Sequence, residues 1–155
     1  MVESVLKEKV GIKERLTKMF FDLLGMSAIR HSKELARLQE EHNLHEFRIY
    51  KVIITDTRFA PRYIQPMEGG QFRVFTGDGE EVQFDKEALM TFKTMMNIGR
   101  GNIDPEYAYK KGLIRIRSPQ AESYSEMRYT GDVLLVLAML KVLLREVHGP
   151  FRRAL

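Results

Sequence analysis

The run Ile103-Asp104-Pro105-Glu106-Tyr107-Ala108-Tyr109-Lys110-Lys111-Gly112-Leu113-Ile114-Arg115-Ile116 spells a complete helix followed by a strand. Asp104 is a natural N-cap, Pro105 suits the first helical position, and Glu106 places a negative charge in the first turn. Lys110 and Lys111 stand near the negative end of the helix dipole, and Gly112 is free to turn the chain out of the helix. Leu113 to Arg117 then reads as a short strand. Ile114 and Ile116 share one face of it, and Arg115 and Arg117 share the other, because side chains alternate along a strand.

Moving back from this run, Gln71–Thr76 and Glu81–Phe84 flank Gly77-Asp78-Gly79-Glu80. Two strands around such a loop make a hairpin, since glycine accepts a positive φ. Phe47–Thr55 is rich in β-branched and aromatic residues and reads as a further strand. Arg58–Pro66 is a weaker one, and its prolines suggest an edge position. Asp85 reads as the cap of a helix in which Ala88, Leu89, Phe92, Met95 and Met96 keep helical spacing. Before residue 46, Ile12, Leu16, Met19, Phe20, Leu23 and Leu24 line one face of a helix that Gly25 is expected to end. A second, more charged helix follows from Ser27 to about His42. After the strand at 113–117, Ser118–Tyr129 reads as a polar loop. Thr130 then caps a last helix that runs to about Val147 and stops at Gly149-Pro150.

The order αα, ββββ, αα, β, α predicts an α+β domain. Its sheet is expected to have five strands, mainly antiparallel but mixed, with helices packed on one face. The 155 residues suit one domain. Within it, 1–45 forms an N-terminal helical segment, 46–147 the core and 148–155 a C-terminal tail.

Composition narrows the chemistry. Cysteine is absent, which removes disulfides, thiolate metal sites and cysteine nucleophiles together. Lys and Arg number 25 against 21 Asp and Glu, so the net charge of +4 permits an anionic partner without demanding one. The longest apolar run, Val133–Leu140, falls far short of the ~20 residues that cross a bilayer. No signal peptide is visible, and a cytoplasmic location is expected.

The segment from about Phe72 to Leu144 resembles the sterol carrier protein type two family of lipid-binding domains. Three stretches carry the likeness: Phe72-Arg73-Val74-Phe75-Thr76-Gly77, Val82-Gln83-Phe84-Asp85, and the run Ile103–Ile116 quoted above. In place of the family's prompt Gly-Asp after its final strand, this chain has Ser118-Pro119 and reaches Gly131-Asp132 only after the polar insert. The resemblance implies a domain that holds an apolar ligand between sheet and helices and has no catalytic group of its own. The expected partner is a lipid or fatty-acyl-like molecule, with transient contact to a membrane surface. The cavity wall is expected from Phe84, Leu89, Phe92, Met96, Ile114, Ile116, Leu135 and Met139. Arg115 or Arg117 would meet a charged headgroup at the mouth. No cofactor and no metal are expected.

Other readings of the same residues compete. The last helix has an apolar arc of Leu135, Val136, Met139, Leu140, Val142, Leu143 and Val147, yet Leu134, Leu137 and Ala138 lie on the side of Lys141 and Arg145. Either the helix is buried on both sides, or the extra face lines a cavity or meets a second copy of the chain in a homodimer. Met90, Met95, Met96 and Met139 suit either a core or an adaptable ligand wall. His42 and His45 are spaced for a metal, but no distant third ligand accompanies them. Gly25-Met26-Ser27-Ala28-Ile29 lacks the second glycine of a nucleophile elbow. Gly99-Arg100-Gly101 lacks phosphate-loop spacing. Arg58, Arg62, Arg73, Arg100, Lys110, Lys111, Arg115, Arg117 and Arg128 interleave with Tyr63, Phe72, Phe75 and Tyr124. Nucleic-acid binding is therefore the weaker binding alternative to a solvated sheet face.

Overall fold

The computed structural model describes residues 2–43, 47–77, 81–118 and 131–154. Two helices, α1 (Val2–Arg30) and α2 (Ser32–Glu41), precede the strands β1 (Tyr50–Ile54), β2 (Arg62–Met67), β3 (Gln71–Phe75) and β4 (Lys86–Met90). Then come α3 (Phe92–Gly99), α4 (Pro105–Lys110), β5 (Arg115–Arg117), α5 (Gly131–Leu143) and α6 (Arg145–Arg153). The strands form one five-stranded sheet in the order β3-β2-β1-β4-β5. Three pairings are antiparallel, and β1 with β4 is parallel, so the sheet is mixed and the class is α+β.

Alternation explains how the sheet carries the core. Tyr50, Val52 and Ile54 are buried along β1, with Ile64, Ala88 and Ile116 beside them on neighbouring strands. Helices α1 and α5 cover this face with Phe20, Phe21, Leu24, Val136 and Leu137, all buried. The opposite face carries stacked Tyr63 and Phe75, Lys51 over the Phe84 ring, and Arg117 paired with Glu87 at 2.6 Å.

Several expected boundaries move. Glu81–Phe84 is not a strand, and the fourth strand is the next segment, Lys86–Met90. Residues 78–80 of the expected hairpin loop lie outside the described residues. Asp85 caps no helix: its carboxylate accepts from the Ile49 N–H at 2.8 Å. The helix starts at Phe92, and the Thr91 hydroxyl takes the capping bond from the Thr94 N–H. Gly25 sits inside α1, near Val74, and α1 continues to Arg30.

β2 is not an edge strand. Arg62–Ile64 pair with β1 on one side, and Pro66 lies past the last β1 pairing, where no donor is required of it. The final helical run divides at Leu144. Gly149 and Pro150 lie within α6, and Phe151, in the stretch expected as a tail, is fully buried. The expected cap Thr130 and most of the polar insert fall outside the described residues. The helix read from Asp104, Pro105 and Glu106 forms as expected, with the Asp104 carboxylate accepting from the Glu106 and Tyr107 N–H groups.

Candidate apolar binding site

Between the sheet and the helices lies a hollow whose wall carries no exposed polar atom. Val52, Ala88, Met90 and Ile116 form its floor, and Phe20, Phe21 and Leu24 of α1 form one side. Val136, Leu137 and Leu140 of α5, with Leu144, form the roof. The side chains leave about 50 Å³ empty. An apolar cavity of ~150 Å³ is large enough to take benzene. The hollow in this conformation therefore has room for a methyl group or two.

Beside the hollow lies a buried polar cluster. The Tyr50 ring is part of the wall, and its hydroxyl donates to Asp132 Oδ2 at 2.7 Å. Lys86 Nζ donates to the same oxygen at 2.7 Å, and Arg48 Nε stands 3.7 Å from it. Local structure places these groups. Tyr50 and Lys86 are partners in the parallel β1–β4 register, and Asp132 lies in the first turn of α5, where a carboxylate suits the helix dipole. Lys86 and Asp132 are buried, and burial of a charge is tolerated when it is paired. Burial first, and the Asp132 charge second, hold the Tyr50 phenol far above its ordinary range, so it remains a protonated donor.

Comparison with solved structures reaches the same architecture. A conserved hypothetical protein from Thermus thermophilus, a sterol carrier candidate, superposes with a TM-score of 0.53. The match covers 82% of this chain and 88% of that one at 14% identity. The fold is sterol-carrier-like. Sterol carrier protein 2 from Yarrowia lipolytica, in its apo form, gives a TM-score of 0.44 at 9% identity over 83% and 89% of the two chains. The sterol carrier protein domain 2 of Helicoverpa armigera gives 0.39 at 18% over 79% and 89%. No protein-family model and no curated protein matches the sequence.

Within this sterol-carrier-like fold, Ile114 and Ile116 lie on the wall of the hollow. Met96, Leu135 and Met139 are buried in the core but do not line it. Leu89 and Arg115 border an open cleft beside the β4–α3 turn, with Thr55, Thr91 and Leu113. Phe92 carries Lys13 over its ring at 5.4 Å, and Phe84 lies under Lys51. Arg115 and Arg117 face away from the hollow, across the sheet from Ile114 and Ile116, so the structure does not bring them to its mouth. Leu137, which the sequence left free for a contact with a second copy, belongs to the roof.

The sequence reading missed the aromatic wall of α1 and the row Tyr50, Val52, Ala88. The alternation in 50–54 was its available signal. It also missed the cluster of Tyr50, Lys86 and Asp132, whose members are far apart in the chain. Among the described residues no group of three or more His, Asp or Glu could hold a metal, and His45 lies outside them. Ser27 is buried inside α1, not poised on a turn. Arg62 lies over the ring of Phe59 and Arg73 over that of Phe75. No helix among the described residues is long and apolar enough to cross a membrane.

Proposed function

We propose that this domain binds a lipid or another long apolar ligand, without catalysis, between its sheet and the helices α1 and α5. The observation that carries the reading is the wholly apolar hollow at that junction. Each methylene moved from water into it contributes ~0.8 kcal/mol, so about ten offer ~8 kcal/mol before ordering costs. The present volume requires the hollow to widen as the ligand enters. Met90 and Leu140, half-buried on its wall, are flexible enough to give way. Exposed Met26 and Ile29 on α1 offer a place for transient contact with a membrane surface that supplies the ligand.

The nearly filled core favours a second reading, an interaction module that holds no ligand. Native mass spectrometry of protein purified from cells, together with uptake of a fluorescent fatty acid, separates the two. Retained lipid mass and saturable one-to-one uptake support the binder. A ligand-free mass with no uptake leaves only the interaction module.

A further inference from the structure

The outer face of α1 carries an apolar row. Ile12, Met19 and Met26 recur every seven residues, which is close to two turns and keeps them on one side of the helix. Ile12 is 51% exposed and Met26 55%. Leu16 and Leu23, partly buried against the core, flank the row on one side. Arg15 and Asp22, both exposed, flank it on the other. Asp22 accepts from Lys18 of the same helix at 2.7 Å, in a pair that is itself exposed. Phe20, Phe21 and Leu24, which line the hollow, face inward, so the row does not depend on what the hollow holds. The two flanking charges are opposite in sign and nearly symmetric about Met19, four residues before it and three after.

We propose that α1 pairs with α1 of a second copy of this chain, antiparallel about a two-fold axis at Met19. That arrangement lays Met19 on Met19, and Ile12 on Met26 of the second copy, twice over. It also sets Arg15 beside Asp22 of the second copy on one flank, again twice, as a self-complementary interface requires. The charges select this register. Sliding one helix by two turns keeps the apolar row in step but sets Asp22 against Asp22, or Arg15 against Arg15 in the other direction. A parallel pair leaves Arg15 and Asp22 of opposite copies ~10 Å apart along the axis. Exposed ion pairs contribute little energy by themselves. The apolar row therefore supplies the affinity, and the charges supply direction and partner choice. From Ile12 to Met26 the row is about 21 Å long. An interface of that length is at the small end for stable association, so pairing is expected to depend on concentration. The second copy covers Met26, which a membrane surface would otherwise meet.

Sedimentation of the full chain between about 1 and 300 μM tests the pairing. The wild type is expected to pass from monomer to dimer across that range. Arg15→Glu and Asp22→Arg, both at exposed positions, are each expected to weaken the dimer at least about tenfold, because like charges then meet twice. Mixed in equal amounts, these two variants should pair with each other about as tightly as the wild type, since every facing pair is again opposite in sign. Ile12→Glu puts a charge into the row and should leave a monomer whose circular dichroism is unchanged. Ile12→Glu and Arg15→Glu both keep the Lys18–Asp22 pair, so they carry the test should Asp22→Arg not fold. A wild type that stays monomeric throughout overturns the proposal. So does a dimer that the charge variants leave intact, or one that mixing folded variants fails to restore. Binding of phosphatidylcholine vesicles by a monomeric wild type, lost in Ile12→Glu, would give the face to a membrane and overturn the pairing as well.

Discussion

Gly70 packs directly against Ser32: a β-carbon at Gly70 would collide with the Ser32 carbonyl oxygen and stand 2.9 Å from the Ala36 β-carbon. The contact fastens the start of α2 to the turn before β3. Gln39 reinforces it, donating to the Met67 carbonyl at 2.8 Å and accepting from the Gly70 N–H at 3.1 Å. Gly69, next in the chain, has a similar φ of +73° but nothing within 4 Å of its missing β-carbon.

The pair gives a controlled experiment. Gly69→Ala should cost only the left-handed backbone term, about 1–2 kcal/mol. Gly70→Ala adds a collision with backbone that cannot turn aside and should cost about 3 kcal/mol or more, at the upper end for one substitution. Thermal denaturation of both variants measures the difference, and equal melting temperatures would contradict the packing.

How far the sequence foretold this fold is clearest at β4. Lys86, Glu87, Ala88, Leu89 and Met90 are all good helix formers, and two of them continue in helical spacing to Phe92, Met95 and Met96. The strand forms because β1 and β5 pair with both of its edges, and because Lys86 meets Asp132 and Glu87 meets Arg117. Those partners come from distant sequence, and no local pattern reports them. By contrast, Asp104-Pro105-Glu106 and Lys110-Lys111-Gly112 write their helix locally, and it was legible residue by residue. That Ile114 and Ile116 share a face was legible for the same reason: strand alternation is a local property. The remainder of the wall depended on which helix lies over which strand.

The hollow itself predicts a trade between stability and binding. At ~24 cal/mol per Å³, a cavity of this size costs about 1 kcal/mol. Ala88 sits on its floor opposite Ile116, so Ala88→Val should fill part of it and also suit the strand. We expect the variant to gain up to about 1 kcal/mol in chemical denaturation and to take up fluorescent fatty acid more weakly. Loss of stability would show the space to be already filled, and unchanged uptake would place the ligand elsewhere.

His148 predicts a pH dependence. Burial first, and the Arg152 guanidinium second, push its imidazole below the ordinary value. In the interval between that lowered value and about 6.5, the unfolded chain binds a proton that the folded chain refuses. The contribution to stability is therefore complete above about pH 6.5 and is lost as pH falls toward the folded value. His148→Gln lacks it. Denaturation at about pH 7.5, 6.5 and 5.5 should show wild-type stability falling relative to the variant as pH is lowered. A constant or growing advantage on acidification would contradict the assignment.

The central claim is that an alkyl chain enters between the sheet and α5, and methyl NMR of the full chain titrated with hexadecanol tests it most directly. The account predicts saturable shifts gathered at Ile114, Ile116, Val136, Leu137 and Leu140, with Leu35 in the core away from the hollow unmoved. Shifts confined to exposed Ile12 and Ile29, or none that saturate, would contradict it.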